Sequence, residues 1–260
     1  MLSTPRWLRR KPTAENVLNP RLANKEAIFL APPLTPELAA AILLISPQLR
    51  GAKPEDFREL WQKEQNGECW GEYEALEPVF AQARIEKVLE VGPGMGRSAV
   101  FFSKKLGLPS SQMHLYEGDG CSTDYAKRGE RSNDSLCGNL DILRSVLDYN
   151  GCGDARIFDA RQTTLAELPG PYDLVYSFYS IGFHWSLEHF LDDLIPLMHE
   201  KSLAVFTVHA DFKGLPELRR FHCRLLDYES VRARKTHRGH KLLVMSIGEL
   251  PAGGGELWSR

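Results

Sequence analysis

The stretch VLEVGPGMG, from Val88 to Gly96, decides the fold class. A short apolar run containing Glu90 is followed by glycines at positions 92, 94 and 96. Because glycine has no side chain and accepts positive φ, such a turn lets a ligand or a neighbouring element approach the backbone closely. The pattern predicts a strand that passes through a glycine turn into a helix.

Spacing argues against two ligand classes that use a glycine turn. A phosphate-binding P-loop ends in Gly-Lys-Ser/Thr, whereas Gly96 is followed by Arg97 and Ser98. The dinucleotide fingerprint needs G-x-G-x-x-G, and its third glycine would fall at Arg97. Pro93 also stiffens the turn. The alternative is that the glycines serve only the packing of strand against helix.

From about residue 84 the chain alternates between strand and helix patterns. Strands are predicted at 85–91, 113–119, 155–160, 172–178, 203–210, 224–233 and 241–248, and helices at 97–107, 136–151 and 186–200. Alternation of this kind predicts an α/β fold with a mostly parallel sheet and helices on both faces. The last two strands leave no room for a helix between them, which suggests one antiparallel strand at the edge.

Residues 1–83 have a different pattern, with helices and loops separated by prolines. Thr35 and Pro36 predict a helix start, as an N-cap followed by proline at the first helical position. The stretches FRELWQKE and YEALEPVFAQA both have helical apolar spacing. We therefore expect an N-terminal helical part at 1–83 and an α/β domain at 84–260.

Composition excludes several classes of protein. The 260 residues carry a formal net charge of -2, so no overall field points to nucleic acid or an anionic membrane. No apolar run is long enough to cross a bilayer, and the N-terminus has no apolar segment typical of a secretory signal. The five cysteines are scattered without a CxxC pair, which predicts neither a zinc site nor disulfides. A cytoplasmic protein is the simplest expectation.

The glycine turn resembles motif I of the class I S-adenosylmethionine-dependent methyltransferases, in which an acid precedes G-x-G-x-G. The resemblance implies S-adenosylmethionine as cofactor and a Rossmann-like, seven-stranded sheet under an N-terminal helical cap. The turn would lie against the cofactor, and the acid would face its cationic aminoacyl end through charge-assisted hydrogen bonds. In this sequence the implied residues are Glu90, Gly92, Pro93, Gly94 and Gly96.

Two further acids stand where this family holds its cofactor. Glu117, at the end of the second predicted strand, matches the acid that accepts the ribose hydroxyls, with Asp119 as the alternative. Asp159, after the third strand, matches the polar residue near the adenine amino group. A single acid at a strand end could be a mere N-cap, but three at the expected places favour a cofactor site. The implied set also contains Gly118, Ala160, Ser177 and Phe178.

The segment 178–185, here called the acceptor loop, follows the fourth predicted strand and faces the transferred methyl group in this family. It lacks the D/N-P-P-Y/F motif of amino-directed nucleobase enzymes, the glutamate pair of protein arginine enzymes and a nucleophilic cysteine. Ser177 stands where the metal-dependent catechol type has an aspartate, so no metal is expected. The loop ends in His184-Trp185, a pair that resembles many small-molecule methyltransferases.

The loop also resembles that of bacterial methyltransferases associated with sugar and polysaccharide modification. These resemblances imply methyl transfer to an oxygen of a small molecule or glycan, with His184 as the base. An unperturbed histidine pKa of about 6.5 suits that role. Alternatively, His184 caps the next helix or packs beside the cofactor, while Trp185 covers the adenine. His209, with Asp211, is a weaker candidate for the methyl-acceptor side.

Several alternatives stay open. The basic stretch 232–241 could bind RNA or a phosphorylated acceptor, but such runs are more often solvated hairpin tips, so nucleic acid is not expected as a partner. The N-terminal helices could form a lid over the site or a homodimer interface. The rival functions are an RNA or protein methyltransferase on the same core, a catalytically silent assembly protein that keeps the cofactor site, and, more distantly, a nicotinamide oxidoreductase.

Overall fold

The computed structural model describes residues 18–46, 49, 52–118, 138–183, 185–231 and 239–250. The helices are α1 (Pro20–Ala23), α2 (Pro36–Ile45), α3 (Pro54–Phe80), α4 (Arg97–Lys105), α5 (Leu140–Tyr149) and α6 (Leu191–Leu194). The strands are β1 (Val88–Val91), β2 (Met113–Glu117), β3 (Arg156–Asp159), β4 (Tyr172–Ser177), β5 (Met198–His209), β6 (His222–Asp227) and β7 (His240–Ser246). None of the helices in the described ranges is both long and apolar enough to span a membrane.

The strands form one seven-stranded sheet in the order β3-β2-β1-β4-β5-β7-β6. Strands β1 to β5 pair in parallel, and β7 runs antiparallel to both of its neighbours. The predicted α/β class with a mostly parallel sheet is confirmed. The antiparallel strand β7 lies one position inside the edge, because it pairs with β5 on one side and carries β6 on its outer side.

The parallel register brings several strand ends to one edge of the sheet. Val91 pairs with Tyr116, and Glu117 pairs with Asp159 on the next strand. The four residues of β1 are all buried, as expected for a central parallel strand covered on both faces. Ligands of open α/β sheets bind outside these carboxyl ends, so the register already locates the candidate site.

The N-terminal helices share their hydrophobic core with the sheet. The two helical segments predicted between residues 54 and 83 are one continuous helix, α3, of 27 residues. Its Trp70 meets Phe101 of α4 edge to face, with ring centroids 5.3 Å apart, and Trp61 is fully buried. The predicted start of α2 is also present, since the Thr35 side chain accepts a hydrogen bond from the backbone N–H of Leu38.

The single helix predicted at 186–200 is wrong. The chain forms a 3-10 turn, the four-residue α6 and a second 3-10 turn, and β5 already begins at Met198. Pro196 cannot donate the next helical hydrogen bond, and its ring crowds the preceding turn. Met198 instead pairs with Tyr172 of β4. The apolar positions of the predicted helix face are nevertheless buried: Leu187, Phe190, Leu191, Leu194 and Met198.

Candidate cofactor and acceptor site

The glycine turn leaves open space at its centre. Gly92 and Gly94 have φ of 72° and 57°, in the left-handed region that favours glycine. A side chain at Gly92 would collide with Ser180 of the acceptor loop, whereas a Cβ at Gly94 would meet nothing within 4 Å. Gly92 is therefore required for packing, and Gly94 borders the space in which a ligand could lie against the backbone.

Glu117 faces this turn. Its Oε2 accepts a hydrogen bond from the Gly94 N–H at 2.7 Å, and its Oε1 accepts one from the Gly118 N–H at 2.9 Å. The Glu117 carbonyl in turn accepts from the Ala160 N–H at 2.9 Å. The structure thus brings together the glycine turn, the end of β2 and the end of β3, as the sequence predicted.

Asp159 lies on the strand next to Glu117 and is paired with arginine. The Arg161 Nη2 donates to Asp159 Oδ2 at 2.7 Å, and the Arg161 backbone N–H donates to Oδ1 at 2.9 Å. These hydrogen bonds from Arg161 lower the pKa of the Asp159 carboxyl below its usual value. Both oxygens of this carboxylate are therefore already engaged, with a further hydrogen bond from the Gln162 side chain to Oδ2 at 3.3 Å.

Glu90 is placed differently from the expected contact with the cofactor. Its carboxylate is 1% exposed and accepts hydrogen bonds from the Ser98 hydroxyl and, at 2.9 Å, from the Tyr176 hydroxyl. Burial raises its pKa to about 7, against the lowering effect of these two donors. Direct contact with an aminoacyl group would require one of these hydrogen bonds to be exchanged.

Three other predicted residues contribute backbone or packing in this structure. Ser177 is fully buried, and its hydroxyl accepts a hydrogen bond from the Ile181 N–H at 2.9 Å. Phe178 is also buried and stacks on Phe102 at 5.6 Å between ring centroids. The Pro93 carbonyl accepts from the Gly96 N–H at 2.9 Å. A cofactor contact by Ser177 or Phe178 would therefore involve the backbone.

The acceptor loop closes on itself beside the glycine turn. The Trp185 N–H donates to the Ser180 carbonyl at 3.0 Å, and the Gly182 N–H donates to the Trp185 carbonyl at 2.8 Å. His184, the predicted base, lies outside the described residues, as does Asp119.

A group of aromatic and histidine rings lies against this loop. Phe183 stacks on His209 with centroids 4.4 Å apart and an interplanar angle of 22°. His240 is the cross-strand partner of His209, and its ring lies 5.0 Å from Phe183. The weaker candidate His209 is thus beside the acceptor loop, while Asp211 is exposed. No local pattern points to His240, because the pairing of β5 with β7 brings it to the loop.

Sequence reasoning also missed a buried polar cluster beneath the loop. Glu68 and Glu72 of α3 are fully buried. The Glu68 carboxylate accepts a hydrogen bond from the Tyr179 hydroxyl, and Glu72 forms a two-point ion pair with Arg97. One signal was available, since Glu64, Glu68 and Glu72 share a helix face at spacings of four residues.

Within the described ranges, no group of three or more His, Cys, Asp or Glu side chains could hold a metal ion. The absence of a metal in the reaction stays a prediction of the sequence.

Comparison with known proteins supports the fold. No family model matches the sequence, and no curated protein is detectably similar to it. A mutant of MtNAS in complex with S-adenosylmethionine is similar in structure, with a TM-score of 0.50 and 10% identity over 81% of this chain and 73% of that one. TrmN from Thermus thermophilus gives a TM-score of 0.41 and 16% identity over 66% of this chain, which spans 47% of TrmN.

A third similar structure is an rRNA methylase from Streptococcus thermophilus, with a TM-score of 0.44, 10% identity and coverage of 69% of this chain and 97% of that one. At these identities the likeness concerns the fold alone. The chain has the fold of the class I S-adenosylmethionine-dependent methyltransferases, as its glycine turn predicted.

Proposed function

We propose that this protein is an S-adenosylmethionine-dependent methyltransferase. The main support is a hydrogen bond of 2.7 Å from the Gly94 N–H to the Glu117 carboxylate, next to open space at Gly94. S-adenosylmethionine has no phosphate, so it suits a turn that supplies close approach and an adjacent carboxylate. The likeness to a structure that contains S-adenosylmethionine agrees with this choice.

The residues at this edge fit the parts of that cofactor. The Gly94 backbone would border the cofactor. Glu117 would accept hydrogen bonds from both ribose hydroxyls, and Asp159 would accept one from the adenine amino group. The bound cofactor would supply an electrophilic methyl group on a sulfonium. The Glu117 carboxylate accepts hydrogen bonds from two backbone N–H groups, so its oxygens lie at the turn.

For the methyl acceptor we propose an oxygen of a small molecule or glycan, deprotonated by His184. The rings of Phe183 and His209 beside the loop suit stacking on a flat ring or a sugar face. Positioning of the oxygen in line with the methyl group would carry much of the rate. We also propose a cytoplasmic location, which rests on the amino-acid sequence alone.

The test is identification of the products. Purified protein is incubated with methyl-labelled S-adenosylmethionine and a panel of monosaccharides, glycans and phenols, with tRNA and rRNA as a separate arm. We expect S-adenosylhomocysteine and a labelled methyl ether from the first arm. Labelled RNA would support the rival reaction, and methylthioadenosine would show that a bond other than S–CH3 had broken.

Two variants separate the roles within that assay. His184→Ala should lower turnover far more than it weakens cofactor binding, because a base acts on the methyl acceptor. Glu117→Gln should do the opposite, raising the cofactor concentration needed for half-maximal rate. Equal turnover in His184→Ala and the unmodified protein would exclude His184 as the base.

A further inference from the structure

Tyr179 has an unusual backbone for its residue type. Its φ of 62° lies in the left-handed region, and among the residues that the structure describes it is the only non-glycine with positive φ. A bulky side chain rarely adopts this conformation, and it persists only where surrounding contacts enforce it. Tyr179 is also the second residue of the acceptor loop, so the contacts that enforce its conformation set the course of that loop.

A buried carboxylate supplies the strongest of these contacts. The Tyr179 hydroxyl donates to Glu68 Oε1, on the interior face of α3. The Ser230 hydroxyl lies 2.8 Å from the same oxygen and 2.9 Å from the other oxygen, Oε2, which also accepts from the Val231 N–H at 3.0 Å. A carboxylate with donors on both oxygens cannot turn away, so the tyrosine hydroxyl is fixed in place.

The next residue ties the same segment to the glycine turn. The Ser180 side chain occupies the space that a Cβ on Gly92 would fill. Arg97, which directly follows the turn, lies over the Tyr179 ring at 5.9 Å from its centroid. Arg97 in turn is held by Glu72, one helical turn from Glu68. The loop and the cofactor turn therefore share one polar support, provided by α3.

The far edge of the Tyr179 ring reaches the methyl-acceptor side. Its centroid lies 5.3 Å from that of Phe183 and 5.4 Å from that of His240, in both cases edge to face. Phe183 in turn stacks on His209. A rotation of Tyr179 would consequently move the rings that stand where the methyl acceptor is proposed to bind.

We infer that Tyr179 is the positioning residue of the acceptor loop, anchored by Glu68 of α3. Its hydroxyl holds the loop against the glycine turn, and its ring places Phe183 and His240. The inference rests on the proposed function in taking segment 178–185 as the methyl-acceptor side. It makes α3 a fixed support of the site, because lifting the helix would break the hydrogen bonds of Glu68 and the ion pair of Glu72 with Arg97.

The first test measures the loop without any reaction. Amide hydrogen exchange is followed in the full chain at Ile181, Gly182 and Trp185, for the unmodified protein and for Tyr179→Phe and Glu68→Gln. Tyr179→Phe removes the anchoring hydrogen bond, and we expect exchange at these amides to rise at least tenfold. Glu68→Gln keeps a carbonyl oxygen that can accept from Tyr179 but removes the charge, so it should raise exchange by a smaller factor. Tyr228→Phe is the matched control, since the Tyr228 hydroxyl meets the Tyr179 hydroxyl at 2.6 Å without being the link to α3.

Amides of β1 and α4 act as the internal reference for global folding. If Glu68→Gln raises exchange there as well, Tyr179→Phe decides alone, because it keeps the ring and removes one oxygen. Exchange in Tyr179→Phe equal to that of the unmodified protein and of Tyr228→Phe would overturn the inference.

The second test separates positioning from folding and from cofactor binding. With a methyl acceptor found in the product screen, Tyr179→Phe should lower turnover at least tenfold while the Kd for S-adenosylhomocysteine stays within twofold. Faster exchange with unchanged turnover in Tyr179→Phe would overturn the role of Tyr179 in the reaction. Lower turnover without faster exchange would show that loop positioning is not how Tyr179 acts. If the unmodified protein methylates nothing, the proposed function fails, and the exchange test still decides whether Tyr179 anchors the loop.

Discussion

Arg97 and Glu72 form a two-point ion pair in the interior, with Nη2 2.7 Å from Oε1 and Nη1 2.9 Å from Oε2. The two side chains are 12% and 0% exposed. Arg97 begins the helix that follows the glycine turn, and Glu72 belongs to α3. The pair therefore connects the N-terminal helices to the predicted cofactor turn in a place where water cannot replace either partner.

Breaking this pair should destabilise the fold strongly. Glu72→Gln leaves the Arg97 guanidinium buried without its counter-ion, and we expect the free energy of unfolding to fall by about 3 kcal/mol. Urea unfolding followed by circular dichroism measures the change. The matched control is Glu86→Gln in the exposed pair of Arg84 and Glu86, which should change stability by less than about 1 kcal/mol. Equal effects of the two substitutions would contradict the assigned role of the buried pair.

The raised pKa of Glu90 predicts a pH dependence of stability. In the folded chain this pKa is about 7, against a usual value of 4.5, so the folded state binds the proton more tightly. The protonated carboxyl contributes stability below pH 4.5, and this contribution is lost as the pH rises through about 7. Glu90→Gln keeps the side chain neutral at every pH.

We therefore expect the Tm of Glu90→Gln to exceed that of the unmodified protein increasingly from about pH 5 to about pH 8. His114, whose pKa burial lowers to about 4, titrates in both proteins and cancels in the difference. A Tm difference that does not change with pH would show that Glu90 titrates normally.

Two glycines of the turn should respond differently to the same substitution. Both have positive φ, so alanine strains the backbone in each case. Gly92→Ala also collides with Ser180 and should lower the Tm more, whereas Gly94→Ala projects a methyl into open space. Gly94→Ala should thus remain folded but bind S-adenosylhomocysteine at least tenfold more weakly, as measured by calorimetry. Unchanged binding would mean that the cofactor does not lie against Gly94.

Local signals made the sheet predictable. One short stretch of sequence predicts strand β1, the glycine turn and α4. The sequence also predicts Glu117 and Asp159 at strand ends, and the two residues lie at paired positions of β2 and β3. The helix at 186–200 was predicted wrongly, because its apolar spacing is helical while Pro196 and the pairing of Met198 with β4 shorten it. The apolar spacing of this segment therefore predicts correctly which residues are buried, but it predicts the wrong secondary structure.

The spacing of Glu64, Glu68 and Glu72 marks a shared helix face, but the partners of these residues beneath the acceptor loop were not predictable, for a different reason. Glu68 and Tyr179 are 111 residues apart in the chain, and nothing near either residue indicates the other. His240 reaches the site through the pairing of β5 with β7, whereas the sequence predicts only that the last two strands, 224–233 and 241–248, lie side by side. Such contacts depend on how elements pack, and local patterns carry no information about them.

The central claim is that the glycine turn with Glu117 binds S-adenosylmethionine, and calorimetric titration with S-adenosylhomocysteine tests it most directly. The unmodified protein should bind S-adenosylhomocysteine and not NAD. Glu117→Gln should weaken binding at least tenfold, about 1.4 kcal/mol, because a carboxamide cannot accept from both ribose hydroxyls. Binding of NAD in place of S-adenosylhomocysteine, or identical affinities of the Glu117→Gln and unmodified proteins, would contradict the claim.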